Sequence, residues 1–416
     1  MKLLLIGSGG REHAIAWKLA KSPKVSKIYV APGNGGTAIE NKCENVNITD
    51  LDELVKFAKE NHIYLTVVGP EDPLTKGITD KFKAEGLRIF GPDKRGAELE
   101  GSKSFSKAFM KKYGVKTAEY EVFTKIEPAL KYVENCAYPV VIKADGLAAG
   151  KGVAICQTKE EAVNALKSYM IDDIFKGAGH KVVIEEFLDG VEASILSITD
   201  GKTIIPFISA KDHKQIFDGG KGPNTGGMGV LAPNPYVTES VMKDFEENIM
   251  NNTLKGIQKE GFDFKGIIFF GLMICEKGTY LLEYNVRMGD PETQSVLSLM
   301  DSDLFELIEA AMDEKLSETK VLWKDEVCIN VVLSSGGYPG KFNKGYEIKI
   351  DDSIKDKVFL AGAKFEDGVL KTSGGRVLSV IGRGKTLEEA REEAYKNVKL
   401  VNFKDSYCRT DIGIYK

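Results

Sequence analysis

Long apolar runs, histidine, paired cysteines and an excess of either charge are all scarce in this sequence, and each shortage removes a class of function. The longest strongly apolar run, Gly266 to Cys275, is about half of the roughly twenty residues that a membrane-spanning helix needs, so no membrane span is expected. At the N-terminus, Lys2 and the short run Leu3-Leu4-Leu5-Ile6 give way at once to glycine and charge, which argues against a signal peptide and for a cytoplasmic protein. The six cysteines (Cys43, Cys136, Cys156, Cys275, Cys328, Cys408) form no Cys-x-x-Cys pair, and the four histidines (His13, His62, His180, His213) lie far apart. That spacing argues against a structural zinc site and points to free thiols in a reducing compartment. Lys and Arg number 57 against 61 Asp and Glu, a net charge of −4, which leaves no broad basic footprint for nucleic acid or an anionic membrane. Any anion-binding site must therefore be local.

What is present is the material of several globular cores. With 416 residues, 43% of them hydrophobic and 28% charged, the chain is too long for one compact core, and at about 150 residues per domain it suggests two to four. Apolar strands near 3–6, 28–30, 65–68 and 87–90 alternate with amphipathic stretches near 12–21, 51–60 and 78–85, the pattern of a parallel α/β unit. Gly91-Pro92-Asp93 interrupts it, and a new helix opens near Ser102, which sets the first boundary at residue 100. Strands near 140–143, 153–156 and 182–186 with a helix over 160–170 form a small α+β unit, a candidate lid within about 118–190. A third body follows, with paired strands, a Gly/Pro/Asn-rich loop over 218–235, one long helix over 239–260 and strong strands at 267–274 and 279–284. The residues from 321 to 416, with strands at 327–333 and 377–381 and a helix at 387–400, read as a separate small β-rich domain.

Three stretches carry chemistry. Ile6-Gly7-Ser8-Gly9-Gly10-Arg11-Glu12-His13 follows a strand and opens a helix, where N–H groups attract phosphate. It is half a dinucleotide fingerprint: Glu12 stands where the third glycine belongs, and Ala31-Pro32-Gly33 where a ribose-binding acid would be. The phosphate of another ligand and a purely structural turn both remain open, and His13 reads as structural. Lys143-Ala144-Asp145-Gly146-Leu147-Ala148-Ala149-Gly150-Lys151-Gly152 places a lysine at a strand end and then three glycines between strands. Such a loop can fold over polyphosphate, although it lacks the order of a Walker A motif and a strand follows it; a Gly-rich hairpin with solvated lysines is the plain alternative. In the strand Leu281-Leu282-Glu283-Tyr284-Asn285-Val286-Arg287, a period of two puts Glu283, Asn285 and Arg287 on one face. Oxygen donors beside a guanidinium suit Mg²⁺ on nucleotide phosphates, or form an exposed polar face. Next to it, Asp290 and Glu292 on the Gly289-Asp290-Pro291-Glu292 turn could bind an ammonium or cap a helix.

Taken together these stretches resemble the ATP-grasp ligases, and among them the glycinamide ribonucleotide synthetase family, over essentially the whole chain. The most specific match is Arg287-Met288-Gly289-Asp290-Pro291-Glu292, supported by Gly7-Ser8-Gly9-Gly10-Arg11-Glu12-His13-Ala14, Gly222-Pro223-Asn224-Thr225-Gly226-Gly227-Met228-Gly229 and Gly374-Gly375-Arg376-Val377-Leu378. The resemblance implies an N-terminal parallel α/β domain (1–100), an ATP-grasp domain with its lid (101–320) and a C-terminal domain (321–416). It also implies ATP-dependent ligation of glycine to 5-phosphoribosylamine, giving glycinamide ribonucleotide, ADP and phosphate in purine synthesis. Another ATP-grasp carboxylate-amine ligase, or a nucleotide-sensing module without turnover, would keep the nucleotide site but change the acceptor loop or lose its charged residues.

By the same resemblance, Lys103 and Lys143 hold ATP phosphates, and the loop containing Gly146, Gly150, Lys151 and Gly152 covers them. Adenine lies along Glu185, Glu186, Phe187 and Leu188, and Glu192 takes the ribose. Glu283 and Asn285 bind Mg²⁺ (or Mn²⁺), and Arg287 stabilises the acyl-transfer oxyanions, with Lys143 and Asp290 as further catalytic candidates. Asp212, Lys214, Asn224, Thr225, Gly226, Gly227 and Met228 line the acceptor side. There Asp212, Asp290 and Glu292, beside Pro291, are candidates for the glycine ammonium or the phosphoribosylamine. Gly9, Gly10 and Arg11, with Gly375 and Arg376, are expected to take the ribose phosphate. The strand before Glu283 reads Gly271-Leu272-Met273-Ile274, without the acid many ATP-grasp members carry there, which puts a second metal in doubt. A monomeric, monofunctional enzyme acting on small molecules is expected.

Overall fold

A computed structural model describes residues 1–148 and 152–414. The N-terminal unit is a parallel sheet because its strands are apolar on both faces and helices cover both. Leu3, Leu4 and Leu5 in Lys2–Gly7 are fully buried. That strand pairs in parallel with Lys27–Pro32 and Leu65–Val68, and Leu65–Val68 pairs with Ile89–Pro92. The helix Gly10–Ala20 starts directly at the end of the first strand.

The sheet does not stop at the first boundary. Ile89–Pro92 pairs antiparallel with the start of Phe264–Cys275, which runs beside Val191–Thr199 and Gly278–Asn285. The order continues through Ile204–Asp212 and Gly229–Ala232 to Val327–Ser335 and Arg376–Gly384, making one sheet of 14 strands. The C-terminal residues thus share a sheet with the centre of the chain. The connecting strand, Gly229–Ala232, lies in the stretch read from sequence as loop, as does the hairpin strand Lys221–Asn224. Four buried residues among glycines, asparagines and prolines are too few for periodicity to reveal, and only their two neighbours make them a strand.

A second sheet stands apart, in the order Tyr120–Phe123, Val182–Glu186, Val140–Ala144, Val153–Cys156. Its core joins Ile142, Val182 and Ile184 to Ala162 and Leu166 of the helix Lys159–Met170. The strand Tyr120–Phe123 and the helix Ile126–Val133 were not legible, because the first is short and mostly exposed. The long helix expected over 239–260 is present with a π-turn at Glu246–Met250, capped by the Thr238 hydroxyl and ended by Gly261 at φ +65°. Among the described residues, no helix is long and apolar enough to cross a membrane.

Candidate active site

The strand Gly278–Asn285 and the residues just beyond it form the floor of a cleft of about 800 Å³, counted with its open mouth. Asp145 fixes one wall: it accepts the N–H of Ser104 (2.6 Å) and the Ser102 hydroxyl (3.1 Å) at the start of the helix Lys103–Tyr113. The glycine-rich segment is thereby tied to the helix that carries Lys103, whose Nζ donates to Gly146 O (3.2 Å). Lys143, at the end of its strand, lies 2.9 Å from Glu185 Oε1 and donates to Leu282 O at 3.3 Å. Gly150 and Lys151 lie outside the described residues. Gly152, Leu147 and Ala148 line the cleft.

Period two holds on the floor. Glu283, Asn285 and Arg287 all line the cleft with Lys103 and Lys143. Burial opposes ionisation of Glu283, yet Lys214, Lys143, Lys103 and Arg287 together hold its carboxyl below the usual range. Asn285 Nδ2 donates to Tyr284 O (3.0 Å), which leaves its carbonyl oxygen as the atom of that side chain able to meet a cation. Gly271 sits opposite Glu283 in register, so the neighbouring strand supplies no second carboxylate. One carboxylate and one amide oxygen fit a Mg²⁺-sized cation that takes its other ligands from phosphates and water. Among the described residues there is no cluster of three or more His, Cys, Asp or Glu that could hold a metal by itself.

Arg287 is held by two carboxylates of the same cleft that sequence reasoning missed. Its Nε lies 3.1 Å from Glu71, and its Nη2 lies 2.8 Å from Glu100. Burial pushes the Glu100 carboxyl up to about 7, and Arg287 pulls against that. Lys107 was missed as well: it is 2% exposed and 3.0 Å from Glu185 Oε2. Its place one helical turn after Lys103 was the available signal. For Glu71 and Glu100 there was none. In the adenine candidate segment, Glu185 points inward, whereas the exposed Glu186 accepts the Glu119 N–H at 3.0 Å. Phe187 and Leu188 follow the strand, half-buried, and Glu192 pairs with Lys214 at 2.5 Å.

The acceptor side is assembled from distant segments. Gly227 has φ +113°, and a Cβ there would lie 2.5 Å from Pro291 and 2.6 Å from Asp212, so the 222–229 segment rests directly on the Asp290-Pro291 turn. Thr225 stabilises that approach, donating its hydroxyl to Lys214 O and accepting the Gly227 N–H. Asn224 is exposed in its hairpin, and Met228 is buried. Arg376 donates to Gly226 O (2.5 Å) and Asp290 O (2.8 Å) and lies 3.4 Å from Asp290 Oδ1. A Cβ at Gly375 would lie 2.3 Å from the ring of Tyr338, whose hydroxyl accepts the Gly226 N–H at 3.1 Å.

At the Gly9-Gly10-Arg11 turn, Glu12 accepts the Gly9 N–H, and Asp290 accepts the Arg11 N–H at 3.3 Å. The Arg11 guanidinium donates to Glu12 and Met288 O. Two N–H groups of that turn therefore face carboxylates of the chain itself. A Cβ at Gly7 (φ +130°) would lie 2.4 Å from Glu12 Cγ, so the side chain standing where a third glycine was looked for packs under the turn. His13 is structural, as read: its Nδ1 accepts the Leu360 N–H at 2.8 Å.

Charge divides the acceptor carboxylates. Arg376 and Arg11 hold Asp290 below the usual range against the cost of burial. Burial first, and Glu292 second, push Asp212 well above it, and burial raises Glu292 too. Asp212 Oδ1 is buried without a hydrogen bond, and Glu292 accepts from Ser194 at 3.2 Å. Glu292 thus disfavours the charge on Asp212, and Lys214 offsets both carboxylates.

Comparison with known proteins agrees along the whole chain. Residues 1–100, 101–293 and 328–415 match the family models described as phosphoribosylglycinamide synthetase N domain, ATP-grasp (A) domain and C domain. The phosphoribosylamine–glycine ligase of Clostridium acetobutylicum is 64% identical over 99% of either chain, and that of Fusobacterium nucleatum is 54% identical over 99% of this chain and 98% of its own. The crystal structure of phosphoribosylamine–glycine ligase from Thermotoga maritima is 36% identical, with a TM-score of 0.88 over 99% of this chain and all of the other. The cleft, its lysines and the Asp290-Pro291 turn thus occur in a chain that belongs to the phosphoribosylglycinamide synthetase family of ATP-grasp ligases.

Proposed function

We infer that this cleft and the acceptor side next to it divide the work of one reaction. The chain is an ATP-dependent ligase that joins glycine to 5-phosphoribosylamine, giving glycinamide ribonucleotide, ADP and phosphate in purine biosynthesis. The observation that carries the division is that Lys103, Lys143 and Arg287 line the cleft, while Asp212, Asp290 and Glu292 gather outside that lining, where the Gly227 backbone rests on Asp212 and Pro291. A polyanion belongs at the first and an ammonium at the second.

A carboxylate resists attack because it is anionic and has no leaving group. In our reading a glycine carboxylate oxygen attacks the γ-phosphorus of ATP, the bond to the bridging oxygen breaks, and glycyl phosphate and ADP result. The amine of phosphoribosylamine then attacks the acyl carbon, loses a proton, and phosphate leaves. Lys103 and Lys143 hold the phosphates, and adenine lies against the 185–188 segment with Glu192 near the ribose. Glu283 and Asn285 hold Mg²⁺, which neutralises phosphate charge when bound. Arg287, fixed by Glu71 and Glu100, faces both oxyanions without having to reorganise. Asp212 and Glu292 take the glycine ammonium. Arg376, with Gly375, Gly10 and Arg11, takes the ribose phosphate next to Asp290, while Gly9, whose N–H already serves Glu12, is left out of that set. Residues 1–100, 101–320 and 321–416 act as three domains, with 118–190 as the lid, in a cytoplasmic monomer. The test is glycine-dependent ADP release with phosphoribosylamine generated in place: release without glycine, or none with it, would overturn the reading.

A further inference from the structure

One hydrogen-bond donor on the acceptor side has no acceptor among the described residues: the hydroxyl of Tyr338. The residue stands in the Gly336-Gly337-Tyr338-Pro339-Gly340 turn that follows the strand Val327–Ser335. Its own N–H donates to Ser335 O at 3.1 Å, and Ser335 donates to Gly375 O through its N–H (2.8 Å) and to Gly374 O through its hydroxyl (2.9 Å). The ring lies on Gly375, where a Cβ would come within 2.3 Å of it, and it meets Phe342 edge-on with 6.3 Å between centroids. Turn, glycine and Phe342 together fix the phenol oxygen in place.

That oxygen accepts the Gly226 N–H at 3.1 Å, and the carbonyl of the same residue accepts Arg376 Nη1 at 2.5 Å. Phenol and guanidinium thus stand at the two ends of a single residue. A hydroxyl whose lone pair takes an N–H must turn its hydrogen elsewhere. Arg376 is likewise only partly occupied. Its Nη1 serves the carbonyls of Gly226 and Asp290, and its Nη2 lies 3.4 Å from Asp290 Oδ1, while its Nε has no acceptor among the described residues. The Arg376 side chain is 21% exposed and Tyr338 is half-buried, so a ligand can reach both. A phosphate monoester presents three strongly accepting oxygens, more than the open edge of one guanidinium can satisfy.

We propose that Tyr338 is a further substrate-binding residue: its hydroxyl donates to the phosphate of phosphoribosylamine beside Arg376, while its oxygen keeps the Gly226 N–H. This rests on the reading of the acceptor side as the site of phosphoribosylamine. A tyrosine that did no more than hold Gly226 would serve glycine and phosphoribosylamine alike, because Gly227, next in the chain, rests on Asp212.

The experiment is steady-state kinetics of the full chain with ATP, glycine and phosphoribosylamine varied in turn, together with titration calorimetry of glycinamide ribonucleotide, which carries the same phosphate. Wild type, Tyr338→Phe and Arg376→Ala are compared, with thermal unfolding followed for each. Tyr338→Phe should raise the KM for phosphoribosylamine and the Kd for glycinamide ribonucleotide at least about tenfold, the loss expected for a hydrogen bond to a charged group. The KM values for ATP and glycine should stay within about twofold and kcat within about threefold, because the phosphate is remote from the reacting carbon. A Kd for glycinamide ribonucleotide within about twofold of wild type would overturn the proposal, and so would a parallel rise in the KM for glycine, which marks a clamp on Gly226. Should the Phe variant not fold, Tyr338→Leu is read by the same criteria. Arg376→Ala separates the two levels: if it binds glycinamide ribonucleotide as wild type does, the phosphate reading of this side fails and the role of Tyr338 with it. If Arg376→Ala loses that binding while Tyr338→Phe keeps it, only the role of Tyr338 fails.

Discussion

The proposed nucleotide cleft and the proposed acceptor side next to it differ in how the chain builds them. Lys103 and Lys107 share one helix, Lys143 ends the second strand after it, and Glu283, Asn285 and Arg287 alternate on one strand and its continuation. Each group is local, so its spacing carries information. The acceptor end joins Arg11, Asp212, Gly226, Asp290 and Arg376, with Arg11 and Asp290 279 residues apart in sequence. No periodicity links such residues. The cleft is built from several segments, each of which carries a local spacing, whereas the contacts of the acceptor side join single residues that share none.

The comparison breaks most severely at Glu283, the carboxylate that the cations of the nucleotide end surround. Glu283→Gln should cut turnover at least about a hundredfold with the fold kept, since metal binding weakens and phosphate charge goes uncompensated. Steady-state ADP release near the wild-type rate at saturating Mg²⁺ would remove Glu283 from the site. At the other end, Arg376→Ala should raise the KM for phosphoribosylamine about ten- to a hundredfold, roughly 1.5 to 3 kcal/mol, and leave ATP unchanged. Because Arg376 also clamps Gly226 to Asp290, a parallel rise in all three KM values would mark it as a clamp only.

Asp212→Asn sharpens the contrast further. Removing one of two mutually repelling buried carboxylates should raise the KM for glycine about tenfold while the unfolding temperature holds or rises. A lower unfolding temperature with an unchanged KM would assign Asp212 to structure. The last effect falls on stability rather than on turnover and concerns His213, next to Asp212 in the chain. Burial pushes His213 down from 6.5 to about 4, and its ring bonds to Gly229 O at 3.1 Å. The native imidazole stays neutral where the unfolded one is protonated, so its stabilisation is complete above pH 6.5 and is lost as pH falls toward 4. At most about 3 kcal/mol is at stake, and His213→Gln should flatten that part of the urea-unfolding profile between pH 5 and 7.

Much of the fold was legible because its signals are local. Leu3, Leu4 and Leu5, the alternation in 281–287 and the helix start at Ser102 each report a backbone state through neighbouring residues. The strand Gly229–Ala232 was not legible, because a strand so short is made by its partners on either side. The same strand turns what reads as a separate C-terminal unit into a continuation of the central sheet.

By itself the sequence determined the alternating elements of the first hundred residues, the glycine-rich segment beside Lys143, the polar face of Glu283, Asn285 and Arg287, and the motifs that identify the family. Those follow from side-chain periodicity and backbone freedom, which act over a few residues. The tertiary structure alone decided that Glu71 and Glu100 grip Arg287, that Lys107 backs Glu185, and that Asp290 lies between Arg11 and Arg376. Charges buried together must find counter-ions wherever folding brings them, and pairing through space leaves no period in the chain.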